Sequence, residues 1–161
     1  MKTTAEKPSV LSLAQKAALI YRLLDHIACE CKEVDTEKDY DEMLDQSYDL
    51  SSVGGPFSGM SASRVLREVD PTAYRCGFSD WLDSEDYTEI DGIYYRDGDI
   101  DEARESFVAD LQTELDEAQT GLEVENNLEE GEERNEETVA ELTETIARLE
   151  AEIELASSHS F

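Results

Sequence analysis

Apolar side chains recur at alternating spacings of three and four along three separate stretches of this chain, and that repeat commits most of it to helices. The first stretch carries Val10, Leu13, Ala17, Ile20, Leu24 and Ile27 behind Pro8 and Ser9, which are helix-start residues. Leu11, Ala14, Ala18, Leu19, Leu23 and Ala28 widen its apolar face well beyond a narrow seam. The helix is therefore expected in the core, with burial in a dimer as the alternative. The second stretch runs through Phe107, Val108, Leu111, Leu115, Ala118 and Leu122 from a start at Asp99 or Asp101. The third, capped by Asn135, carries Val139, Leu142, Ile146, Leu149 and Ile153, a coiled-coil-like seam of about two heptads. Val108 and Val139 fall out of heptad register, which favours a helical hairpin over one continuous coil. Pairing of the last helix with its copy in a second chain is the other arrangement such a seam allows.

Shorter elements fill the middle. Thr36 reads as the cap of a helix carrying Tyr40, Met43, Leu44 and Ser47 on one side. The stretch 50–60 holds three glycines and a proline, and it must be a turn-rich connection or a hairpin; no Lys follows the glycines, so it is not a phosphate loop. Ser61 or Ser63 can cap a helix through Val65, Leu66 and Val69, and Asp70-Pro71 restarts the chain as N-cap and first-turn proline of a helix reaching Leu82. Gly77 in that helix suggests close approach of a neighbour. Asp91-Gly92 suits a type I′ turn, so 87–96 is read as a hairpin that needs a helical face to rest on. The fold class expected is mainly α with one small β-hairpin. Its domains would be a helical core over 1–120, an acidic linker or frayed helix over 121–135, and a C-terminal amphipathic helix over 136–157. Leu13, Ala17, Ile20, Leu24, Val65, Leu66, Tyr74, Phe78, Trp81, Leu111 and Leu115 are the expected core.

Charge narrows the function. Against 13 basic residues stand 41 acidic ones, a formal net charge of −28, so nucleic acid and anionic membrane are repelled and any macromolecular partner should be basic. Acidity belongs to the body and tail, because the first 32 residues hold five bases and three acids. Self-repulsion on this scale costs stability, so a cationic partner or a saline cytoplasm must favour it; eight Arg to five Lys keeps the saline reading open. Cys29, Cys31 and Cys76 are odd in number, and the first two are too close in one helix to bridge, which points to a reducing compartment. Gln15 and Lys16 break the N-terminal apolar run, no stretch is long enough to span a bilayer, and no Asn-x-Ser/Thr sequon occurs. A cytoplasmic protein, in a host cell, is the expectation.

Residues for catalysis are scarce. His26 and His159 are the only imidazoles, and no nucleophile stands beside a base, so no enzyme and no cofactor are expected. His26 and Cys29 share a helix face, yet with Cys31 or Cys76 they do not match the spacing of a zinc module; a core histidine and buried thiols are preferred. Asp97, Asp99 and Asp101 imitate the opening of a calcium loop. Glu102 stands where that loop needs glycine and Val108 where it needs a bidentate Glu, so acids at a helix start are the better reading.

The segment VLREVDPTAYRCGFSDWLDSE, Val65 to Glu85, resembles a motif of small proteins from phages and other mobile elements, V-L-[RK]-E-V-D-P-x-A-[YF]-R-x-G-[FL]-x-[DE]. That resemblance implies a mobile-element origin and no activity, and the acidic C-terminal half has no part in it. Read from its residues, the segment is a helix-turn-helix-like pair with Arg64, Arg67 and Arg75. The field of the whole chain opposes duplex DNA, so these arginines are expected to pair with Glu68, Asp70 or Asp80.

Three functions compete: an acidic inhibitor filling the nucleic-acid groove of a basic host protein such as a restriction or CRISPR effector, a coiled-coil adaptor, and a halophile's protein whose acidity is environmental. The first is preferred. Twelve acids fall within residues 110–137; as one helix, at about 1.5 Å per residue, that is roughly one charge per 3.5 Å, close to one DNA strand. The partner-binding residues expected are Asp80, Asp83, Glu85 and Asp86; Asp97, Asp99 and Asp101; Glu114, Asp116 and Glu117; and Glu129, Glu130, Glu132 and Glu133. Val139, Leu142, Ile146, Leu149 and Ile153 would form the seam of a homodimer, and no metal site is expected.

Overall fold

A computed structural model describes residues 11–50, 55, 58–127 and 135–159. Its secondary structure is mainly α with one two-stranded antiparallel sheet. The described chain packs as two compact units, and residues 1–120, read from sequence as one core, contribute to both. Unit 1 takes the chain up to Cys31 and again from Ile100; unit 2 is the continuous segment Lys32–Asp99.

Unit 1 is built from α1 (Leu13–Glu30), the greater part of α5 (Asp97–Asn126) and α6 (Glu136–Ser158). The expected helix-start residues Pro8 and Ser9 lie outside the described residues, and α1 starts at Leu13. Ser12 caps it: its Oγ accepts the Gln15 N–H at 3.3 Å while Gln15 Oε1 accepts the Ser12 N–H at 2.9 Å. Gln15, which interrupts the apolar run in the sequence, is thus the reciprocal half of a capping box. The buried side of α1 is Leu19, Leu23 and Ile27 rather than the seam through Leu13 and Ala17. Leu13 is 84% exposed, Ala17 is exposed, and Ile20 and Leu24 are half-buried. Apolar residues cover more than half of this helix's circumference, so periodicity could not choose the inward stripe; packing did.

On α5 the inward stripe is Ile100, Ala103, Phe107, Leu111, Leu115 and Ala118, and the helix begins at Asp97, ahead of either expected start. Asn135 caps α6 as expected, its Oδ1 accepting from the N–H groups of Glu137 and Thr138 at 3.1 and 3.2 Å. α5 and α6 lie antiparallel: Gly121 faces the methyls of Leu142, and Arg104 Nη1 donates to the His159 carbonyl at 2.7 Å. Within this apolar packing sits one buried carboxylate. Glu152 is 5% exposed, with Arg22 Nη1 of α1 3.5 Å from its Oε2 and Arg148 Nη1 of α6 3.4 Å from its Oε1. Its Oε2 makes an ion pair without hydrogen-bond geometry.

Unit 2 contains α2 (Thr36–Ser47), α3 (Ala62–Val69), α4 (Pro71–Leu82), β1 (Tyr87–Ile90) and β2 (Ile93–Arg96). Asp35, not Thr36, caps α2, accepting the Lys38 N–H at 3.1 Å, and Thr36 becomes a buried first-turn residue. Of the two candidate serines, Ser61 is the cap of α3; Ser63 lies in its first turn and is buried, its N–H donating to Asp45 Oδ1 at 2.8 Å. Asp70 closes α3 and caps α4, with Pro71 in the first turn. The hairpin pairs Tyr87 with Arg96 and Ile90 with Ile93, and Asp91 and Gly92 hold positive φ of 51° and 84°, the type I′ requirement. A contact absent from the sequence reading joins it: the Val34 N–H donates to the Tyr94 carbonyl at 2.9 Å.

Tyr40 organises the core of this unit. It is 3% exposed, and the rings of Tyr74, Trp81 and Phe78 stand at 5.2, 5.3 and 5.5 Å from its own. A Cβ at position 77 would run into the Tyr40 hydroxyl, so Gly77 allows the close approach its place in the helix suggested. Phe78, Trp81 and Leu66 are half-buried around this cluster rather than fully enclosed, and Val65 is half-buried as well. Arg64 pairs with Glu68 as expected, but Arg67 reaches α2: its Nη2 stands 2.9 Å from Asp41 and 3.4 Å from Glu37. It also donates to the Tyr74 hydroxyl at 2.7 Å, which in turn donates to Asp41 at 2.8 Å. Burial, reinforced by the bond to Asp41 and opposed by Arg67, pushes the Tyr74 hydroxyl up to about 12.

Two outcomes follow from these contacts. Arg22→Ala is expected to destabilise unit 1 by about 1–3 kcal/mol in wild type, since it strips a buried carboxylate of one partner, and by less than about 1 kcal/mol when Glu152 is first replaced by Leu. Denaturant unfolding of the four proteins in that cycle checks it. Tyr74 holds its proton more tightly folded than unfolded, so its contribution is complete below pH 10, the ordinary tyrosine value, and is lost as the pH climbs toward 12. Unfolding free energies at either end of that window should fall less steeply for Tyr74→Phe than for the parent.

Candidate functional site

Carboxylates on helix faces are the feature with functional potential, and α5 of unit 1 carries most of them. Asp101, Glu102, Glu105, Asp110, Glu114, Asp116, Glu117 and Glu123 are all exposed on it. With about 1.5 Å of rise per residue, they occupy roughly 33 Å of axis, near one charge per 4 Å. Along α6 the exposed acids are Glu136, Glu137, Glu141, Glu144, Glu150 and Glu154. Of the bases described in unit 1, Arg22 and Arg148 are held by Glu152, and Arg104 is paired with Asp101. Little positive charge is left to offset the outward field.

The run 110–137 is not one rod. α5 ends at Asn126, α6 starts at Glu136, and the two are antiparallel, so the single line of charge inferred from composition is corrected to acids distributed over two neighbouring helices. Glu129, Glu130, Glu132 and Glu133 lie outside the described residues. Glu114 and Asp116 point to different sides of α5, as a spacing of two requires, with Asp116 accepting from Gln112 Nε2 at 3.0 Å. Glu114 instead joins Asp110 and Asp25 around a cleft of about 330 Å³ between α1 and α5, lined also by His26, Cys29 and Phe107. Asp25 and Asp110 were missed in the sequence because nothing in a linear pattern brings α1 beside α5.

His26 packs its ring 5.5 Å from that of Phe107, and its buried Nε2 has no hydrogen-bond partner among the described residues. Cys29 is exposed and Cys76 belongs to unit 2; among the described residues no three His, Cys, Asp or Glu side chains are placed to hold a metal ion. The Asp97, Asp99, Asp101 run is helical. Asp97 accepts from Thr88 Oγ1 at 2.8 Å, Asp101 pairs with Arg104, and Asp99 lies on the other side of the helix, so the three do not converge. Acids in the first turn complement the helix dipole instead.

In unit 2, Asp80, Asp83, Glu85 and Asp86 are exposed together at the end of α4 and the turn into β1. Three bases of this unit, Lys32, Lys38 and Arg96, line a cleft with Glu33, Asp35, Asp39 and Asp99, where their charge is neutralised locally. Asp39 takes Arg96 at 3.3 Å and the Tyr87 hydroxyl at 3.1 Å, and burial followed by that hydrogen bond raises the Tyr87 pKa. The seam residues of α6 sit within unit 1: Leu149 is buried, Leu142 meets Gly121, and Val139, Ile146 and Ile153 are half-buried. No described helix is long and apolar enough to cross a membrane.

Repulsion along α5 should be measurable without any partner. A Glu105→Gln, Asp116→Asn, Glu123→Gln triple variant is expected to melt above the parent in about 20 mM salt, and the gap should close near 1 M, where the Debye length is about 3 Å. Thermal melts at both salt concentrations decide this.

No protein-family model matches the chain, and neither the curated proteins nor the solved structures yield a significant similarity to it.

Proposed function

We propose that this protein acts by binding, presenting carboxylates in place of nucleic-acid phosphates to a basic groove on a nucleic-acid-binding host protein. A defence nuclease of the restriction or CRISPR kind is the partner this reading favours. The observation that carries it is the eight exposed acids spread around α5, whose density near one per 4 Å of axis approaches the one per 3.4 Å of a single DNA strand; Asp101, Glu105, Asp116 and Glu123 among them share one face. A cationic groove gains from such a charged surface by releasing counterions, as it does from DNA, and needs no base to be read. Asp25, Asp110 and Glu114 add a concave acidic spot where a protruding Arg or Lys can enter.

A second reading rests on a different observation. Among the described residues unit 2 has no long acidic helix, yet its segment holds 18 acids against six bases, as a chain adapted to a saline cytoplasm would. Circular dichroism across a salt titration separates the two, since a chain whose acidity serves solvation folds only in molar salt.

The functional test uses purified restriction and RNA-guided nucleases with plasmid DNA as substrate. Cleavage should be inhibited stoichiometrically and restored by excess duplex DNA. Affinity should fall by a factor of roughly 10³ or more between about 50 and 200 mM salt if six or more contacts form. The α5 triple variant should bind more weakly. A complex that persists in molar salt, tolerates those substitutions and still admits DNA would overturn the proposal.

A further inference from the structure

We draw no further inference here: the strongest candidate, the solvent-facing side of α1 in unit 1 where Leu13, Ala14, Ala17, Ala18, Tyr21 and Ala28 form an exposed apolar stripe, is an unpartnered helix face, and nothing in the structure shows what covers it.

Discussion

Forty-one carboxylates on one chain repel one another, and every packed contact in either unit has to outweigh that repulsion. Helices make this feasible because they separate charge from apolar surface at a period of 3.6 residues. On α5 six apolar residues face inward, while eight acids stand in solvent, where water and salt screen them. Glu152 is the exception. It lies inside unit 1, where the half-exposed side chains of Arg22 and Arg148 pair with it.

Unit 2 meets the same constraint with aromatic rings. Tyr40, Tyr74, Phe78 and Trp81 supply large contact area from few residues, and the Tyr74 phenol links that core to the charged rim through Asp41 and Arg67. Tyr87 does so again, set against Trp81 at 6.0 Å and bonded to Asp39, which gives the hairpin the helical support that two isolated strands need.

Much of this was legible in the sequence, and the failures have physical causes. Asn135, Asp70-Pro71, Asp91-Gly92 and Gly77 each carry a local rule that tertiary packing does not override. The inward face of α1 was misread because alanines and leucines surround it, and only the neighbouring helices select Leu19 and Leu23 over Leu13 and Ala17. Caps at Ser12 and Asp35 were missed by one to three positions, within the range over which several polar residues compete for one helix end. For the candidate site, exposed acids could be named from composition, but their grouping could not. Asp25 meets Asp110 and Glu114 only through the packing of α1 on α5, and the apparent single track of charge dissolved once the chain reversed between α5 and α6.

Unit 1 is discontinuous in sequence, and this governs the order in which the chain can assemble. Unit 2 is one uninterrupted segment whose contacts are short in loop length, and α5 and α6 form a hairpin of neighbours; both can organise as soon as their residues leave the ribosome. α1 leaves the ribosome before unit 2 and cannot complete its packing until α5 and α6 follow, because its partners lie beyond the whole of unit 2. Through that interval Leu19, Leu23 and Ile27 have no core to enter, and the sparse acidity of the first 32 residues gives this nascent helix little charge to guard it against association with other chains.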